Sequence, residues 1–94
     1  MTFTEYESLV SGLTVLFQEY VNPEIEEMSV ANIVSCVGTS LVLKYLDDLH
    51  VGYGNHNVVV EYPDEDERYA KEKINLLYET LVRRNAELNK SSNI

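Results

Sequence analysis

The first twenty residues carry the most regular alternation of apolar and polar positions in the chain. Apolar side chains return every three or four residues along one face: Tyr6, Leu9, Val10, Leu13, Leu16, Phe17, Tyr20 and Val21. This spacing predicts an amphipathic helix over residues 4–22 that is buried along that face. Thr4 and Glu7 fit a capping box at its start, in which each side chain satisfies a free backbone amide.

An uncharged stretch, Ser29–Leu43, interrupts the acidic sequence that surrounds it. Its apolar residues keep helical spacing on both sides of Gly38: Val30, Ile33, Val34, Val37 and Leu41. This predicts a second helix that begins at residue 24 or 29 and ends near 49. A second apolar strip starts midway, at Val42, Leu43 and Leu46, which is typical of a helix covered on more than one side. The frequent β-branched residues leave two short strands, broken at Gly38, as the alternative.

Glycine and asparagine cluster after the second helix, over residues 52–57, and the run Val58–Tyr62 that follows is the strongest strand signal in the chain. These residues predict a short β-hairpin, or a single strand, over 50–62. A last helix is predicted over 65–89, with Tyr78 and Val82 flanking a buried face made of Ala70, Ile74, Leu77, Leu81 and Leu88.

These elements predict an α+β fold that is mostly helical, with three helices around one core and the hairpin or strand between the second and third. The 94 residues are expected to form a single domain over 1–94, with a frayed tail over 91–94. A single cysteine, Cys36, excludes an internal disulfide framework, and its place among apolar residues predicts a buried thiol. The first residues lack the pattern of a signal peptide, so a cytoplasmic location is expected.

Charge is unevenly distributed along the chain. Residues 1–67 contain thirteen acids and one base, a net charge of −12, whereas residues 68–94 contain three acids and six bases, a net charge of +3. Direct binding to nucleic acid is therefore not expected, because phosphate contacts need clusters of basic side chains. The uncharged stretch is also too short to cross a bilayer, so no membrane partner is expected.

The acids form two groups that could imitate a row of phosphates. The candidate partner-binding acids are Glu24, Glu26, Glu27, Glu61, Asp64, Glu65, Asp66 and Glu67. If these carboxylates converge on one face, they could occupy the basic groove of a nucleic-acid-binding protein, as DNA-mimicking inhibitors from phages and bacteria do. Helix-start preferences and the solubility that charge provides explain the same residues without any partner.

A second candidate surface lies on the last helix. Tyr69, Leu76 and Arg83 are spaced by seven residues, so they fall on one line away from the predicted buried face. Tyrosine and arginine are enriched in binding hot spots, and this line could contact a partner or a second copy of the chain. A homo-oligomer, most simply a dimer, is expected.

No constellation typical of catalysis stands out. His50 and His56, with Asp47 and Asp48 nearby, match none of the strong zinc-ligand spacings. No residue fills the set of nucleophile, base and oxyanion donor that an enzyme requires, so no enzyme activity, catalytic residue, metal or cofactor is expected.

The leading functional hypothesis is therefore a small acidic protein-binding module, an inhibitor or regulator that acts on a basic protein, with a nucleic-acid-binding protein as the partner if it works by DNA mimicry. The alternative is a structural subunit of a larger assembly, held in place by apolar helix faces. Salt separates the two, because screening weakens charge-driven contacts far more than apolar ones.

Overall fold

Four helices make up most of the part of the chain that the structure describes. This computed structural model describes residues 2–49, 51–54, 57–60 and 67–92, with side chains for 2–49, 51 and 68–90. The helices are α1 (Phe3–Tyr20), α2 (Glu27–Val37), α3 (Thr39–Asp48) and α4 (Glu67–Ser92). Two extended segments of four residues each, β1 (Val51–Gly54) and β2 (Asn57–Val60), lie between α3 and α4.

The apolar face predicted for the first helix is confirmed. Its N-cap was placed two residues too late, at Thr4 instead of Thr2. Thr2 is the N-cap, and its hydroxyl oxygen accepts a hydrogen bond from the Glu5 amide at 3.1 Å. The sequence offers two overlapping Thr-x-x-Glu pairs, and the helix uses the earlier pair rather than Thr4 and Glu7. The buried residues of α1 include Leu9, Leu13 and Phe17.

Helices α1, α2 and α4 pack against one another around a shared apolar core. The Tyr6 hydroxyl near the start of α1 donates to the Ala31 carbonyl at 3.2 Å and contacts the Ser35 hydroxyl, both in α2. Ser11, farther along α1, bonds to Glu27 at the start of α2. The two helices are therefore antiparallel.

Contacts between α1 and α4 give the same relation. The side-chain amide of Asn75 in α4 donates to the Tyr20 carbonyl at 3.0 Å, and the rings of Phe17 and Tyr78 meet edge to face with centroids 4.9 Å apart. Because residue numbers fall along α1 as they rise along α4, these two helices also run antiparallel. The start of α4 thus lies beyond the end of α1, whereas the start of α2 lies beside Ser11, near the middle of α1.

Gly38 divides the predicted second helix into two. Its φ of +100° is a conformation that residues with a Cβ rarely adopt, and the axes of α2 and α3 meet there at an angle of 99°. The single helix expected over the uncharged stretch, and the alternative of two strands, were both wrong. The bend also changes which strip is buried, since Val42 and Leu46 enter the core while Leu41 is only half-buried.

The predicted α+β class, with three helices, is wrong as well. The described chain has a helical fold, and its buried apolar side chains lie on the four helices apart from Ile25 and Val51. A β-hairpin as a packed element of the fold is therefore not supported. Segments β1 and β2 run antiparallel, with Val51 opposite Val60, but a ribbon of this length adds no sheet layer to the core.

The last helix extends beyond the core. Ala70, Ile74, Leu77 and Leu81 are buried as predicted, whereas Leu88 is only half-buried. With 26 residues, α4 is about 39 Å long, close to the longest dimension of the molecule, which measures 47 × 27 × 25 Å. The helix ends at Ser92, three residues past the predicted end at 89.

The described helices differ individually from a membrane span in length or in hydropathy. In the described ranges, no single helix is both long and apolar enough to cross a bilayer. Helices α2 and α3 meet the length and hydropathy criteria only when taken together, across their 99° bend.

Replacing Phe17 with alanine should destabilise the protein by about 3–5 kcal/mol, because the ring is fully buried and pairs with Tyr78. The control is Val15→Ala, two residues away on the exposed side of α1, which should change stability by less than about 0.5 kcal/mol. Urea unfolding measures both. Equal effects of the two variants would contradict the placement of the core.

Replacing Gly38 with alanine should lower the free energy of unfolding by about 1–3 kcal/mol. No atom lies within 4 Å of the added Cβ, so the cost comes from the backbone alone. A continuous helix predicts the opposite sign, because alanine stabilises a helix interior by about 1 kcal/mol relative to glycine. Urea unfolding decides the sign, with Ser40→Ala, on the exposed side of α3, as the control.

Candidate functional site

The turn between α1 and α2 carries three of the acids predicted to bind a partner. The Phe17 carbonyl ends α1 by accepting both the Val21 amide at 2.8 Å and the Asn22 amide at 2.9 Å. The Asn22 side chain then accepts the Glu24 amide at 2.9 Å, and its carbonyl accepts the Ile25 amide at 3.2 Å. This asparagine-built turn reverses the chain within a few residues, as asparagine commonly does.

Two side chains of α1 also contact this turn. Ile25 is buried in the core, and its backbone carbonyl accepts a hydrogen bond from the side-chain amide of Gln18 at 2.7 Å. The Ser11 hydroxyl donates to a carboxylate oxygen of Glu27 at 3.4 Å. Residues 24–27, the acidic turn from here on, are therefore fixed at both ends and anchored by one buried side chain.

The three carboxylates of the acidic turn point away from the core. Glu24, Glu26 and Glu27 are all exposed, and no ion pair within the described residues involves any of them. Glu26 occupies the N-cap of α2 without a side-chain capping bond, and Glu27 lies in the first helical turn. The partial positive charge of the helix start stabilises acids here, which lets the turn hold several like charges.

The wider α1–α2 region shares this charge. Residues 2–43 contain six acids and not one lysine or arginine. The ion pairs Arg68–Glu72 and Arg84–Glu87 both lie within α4 and do not neutralise the acidic turn. Residues 2–43 therefore contribute only negative side-chain charges, which favour the approach of cationic groups.

Only one residue of the second group of predicted acids belongs to the part of the chain that the structure describes. Glu61, Asp64, Glu65 and Asp66 lie outside the described residues, and Glu67 is the first residue of α4, with its side chain undescribed. Glu67 precedes Asn75 by eight residues, or about 12 Å of helix, and Asn75 contacts the end of α1. The start of α4 therefore extends beyond the end of α1, whereas Glu27 of the acidic turn contacts Ser11 near the middle of α1.

The predicted stripe on α4 is uneven. Leu76 is 44% exposed and Arg83 is exposed, while Tyr69 is half-buried, with the ammonium of Lys73 lying 5.1 Å from the centre of its ring. All three residues lie off the buried face, as the spacing indicated. Their role in binding stays a prediction.

Three exposed large apolar side chains, Phe3, Val15 and Met28, were missed by the sequence analysis, and the last two lie near the acidic turn. Val15 is 58% exposed on α1, and Met28 is 73% exposed in the first turn of α2. Val15 interrupts the polar side of the predicted α1 helix, which is the signal that could have identified it. Met28 carried no such signal, because the sequence left open whether its helix starts before it, at residue 24, or after it, at residue 29.

The expectation of a buried thiol was wrong. Cys36 is exposed near the end of α2, where its sulfur lies 3.6 Å from the side-chain oxygen of Asn89 in α4. The buried face of α2 passes through Val30, Ile33 and Val34, and it leaves position 36 on the outside. Apolar neighbours in sequence did not imply apolar neighbours in space.

The described side chains bring together no group suited to metal binding. Within the described ranges, no three histidine, cysteine or acidic side chains lie close enough to hold a metal ion. Asp47 and Asp48 are exposed at the end of α3, and His50 and His56 lie outside the described residues.

Comparison with known proteins identifies no relative of this chain. No protein-family model, no curated protein and no solved structure matches it.

Proposed function

We propose that this chain is a small cytoplasmic inhibitor or regulator that binds a basic protein partner through its acidic surface. The observation that carries the proposal is the acidic turn, where three exposed glutamates without ion pairs among the described residues sit on a segment held in place. Unpaired charges fixed on a surface provide specificity and fast association with a complementary partner.

The way the turn is built supports binding as well as charge. Binding requires that flexible segments be ordered, and that cost reduces affinity. Ile25 and the Gln18 hydrogen bond already hold the acidic turn in one conformation, so less of this cost remains to be met on binding.

DNA mimicry is the more specific form of this proposal. The acidic turn follows the end of α1, α4 contacts that end through Asn75, and the predicted acids Glu61 and Asp64–Glu67 precede or begin α4 in sequence. Carboxylates presented together would meet the same basic groove that phosphates occupy. The partner would then be a nucleic-acid-binding protein, and its inhibition would follow from simple competition.

The exposed apolar residues of α4 favour a second candidate function. Leu76 and Val82 are 44% and 39% exposed, and both belong to a helix that extends beyond the core. A structural subunit, or a homodimer joined through the Tyr69, Leu76 and Arg83 stripe, would cover them.

Neutralising the acidic turn should abolish capture of a basic partner. The test is a pull-down from cell lysate with the wild-type chain and with a variant carrying Glu24→Gln, Glu26→Gln and Glu27→Gln. Washes at about 0.1 M and 1 M salt, where the screening length falls from about 10 Å to about 3 Å, should release the partner from the wild type. Mass spectrometry identifies the captured protein.

The matched control carries Asp47→Asn, Asp48→Asn and Glu79→Gln, which removes the same amount of charge from exposed positions on α3 and α4. This control should retain the partner. A partner that resists high salt and the acidic-turn variant, but is lost on Leu76→Ser, would replace the inhibitor proposal with the subunit. Loss in all charge variants alike would mean that net charge alone drives capture.

A further inference from the structure

Two exposed apolar side chains lie beside the acidic turn. Val15 is four residues after Ser11 and three before Gln18, so these three side chains form one line along α1. Ser11 contacts Glu27, and Gln18 contacts the Ile25 carbonyl. Val15 therefore lies between the two points where α1 touches the segment leading into α2.

Met28 lies in the first turn of α2. It follows Glu27, which Ser11 contacts, and its side chain remains 73% exposed. The α1–α2 seam, defined here by Ser11, Val15, Gln18, Glu27 and Met28, thus combines an apolar pair with hydrogen-bonding groups. An apolar patch that is rimmed by polar groups is typical of a protein interaction site, and a ligand long enough to cover both Val15 and Met28 would join them into one such patch.

Acids surround this seam. Glu19 follows Val15 by four residues on α1, and Glu24 and Glu26 belong to the adjoining turn, with all three side chains exposed. No basic residue occurs in the sequence from residue 2 to residue 43. A ligand that covers Val15 and Met28 must therefore bring its own positive charges to the rim.

The kind of backbone in the seam limits the shape of that ligand. Both sides of the seam are helical, and helices satisfy their interior backbone groups internally, so no sheet edge is available for an added strand. An amphipathic helix presents apolar and basic side chains on adjoining faces at spacings of three and four residues. Nucleic acid and anionic membrane are disfavoured by the same acids.

We infer that the α1–α2 seam docks a basic amphipathic helix of the partner protein, with apolar side chains over Val15 and Met28 and lysines or arginines toward Glu19, Glu24 and Glu26. This inference rests on the proposed function and adds the structural class of the partner. It separates the seam from the stripe on α4, which takes no part in it.

Two designed peptides of about 18 leucine and lysine residues test the inference by fluorescence anisotropy. One is ordered to form an amphipathic helix, and the other has the same composition with leucine distributed around the helix. The wild-type protein should bind the amphipathic peptide at least about tenfold more tightly than the scrambled one. Equal affinity for the two peptides would overturn the inference.

Protein variants separate apolar docking from charge. Val15→Ser with Met28→Gln keeps every charge and should weaken binding of the amphipathic peptide about tenfold while leaving the scrambled peptide unchanged. The control Phe3→Ser changes another exposed apolar residue of α1 and should have no effect. Circular dichroism verifies that each variant retains its helix content.

The glutamine variant of the acidic turn makes the two proposals distinguishable. If it weakens both peptides while the Val15 and Met28 variant weakens neither, the acidic-surface proposal stands and the docking inference fails. If it weakens neither peptide, the proposed function fails for these probes, and the docking inference that rests on it fails too.

Nuclear magnetic resonance locates the bound peptide directly. The chain contains only two methionines, so the Met28 methyl signal is assigned by its loss in Met28→Gln. It should shift on titration with the amphipathic peptide. Sedimentation of the protein alone tests whether a second copy of the chain is the occupant. Salt-sensitive self-association that is lost in the Val15 and Met28 variant would show that the basic α4 of a second copy binds the seam, and it would overturn the inference.

Discussion

The position of Phe17 determines how the other elements of the molecule are arranged. Its carbonyl accepts the amides of Val21 and Asn22 and so ends α1, while its buried ring meets Tyr78 edge to face and holds α4 against the same helix. One residue therefore fixes where the chain reverses and where the last helix lies. Helix α1 thus ends about one helical turn after the contact that holds α4 against it, and the acidic turn follows.

The break at Gly38 shows how far sequence periodicity can be trusted. Helical spacing continues through position 38, which predicted one helix, but the second apolar strip that begins at Val42 is out of phase with the first. A change of phase at a glycine indicates two helices, each burying its own strip, and the structure has this arrangement. The sequence contained the signal, yet continuity of spacing was given more weight than the change of face.

The candidate site was predictable in charge and not in shape. Glu24, Glu26 and Glu27 stood out from the sequence, and the face of α1 followed from its spacing. The exposure of Cys36 and the proximity of Val15 to the start of α2 depend on contacts between distant residues, such as Ser11 with Glu27 and Cys36 with Asn89. Periodicity describes one helix at a time, so it cannot determine which exposed side chains two helices bring together.

The unequal distribution of charge links the fold to the proposed binding. Like charges on one surface repel one another and reduce stability, so six acids without a base over residues 2–43 leave a net repulsion in the folded chain. The helix start at α2 offsets only part of this repulsion, because its effect fades within the first turn. Basic side chains are available on α4, but the ion pairs Arg68–Glu72 and Arg84–Glu87 join them to acids of α4 itself. The charges of the acidic turn therefore have no ion-pair partner among the described residues, and under the proposed function binding would relieve a repulsion that folding leaves in place.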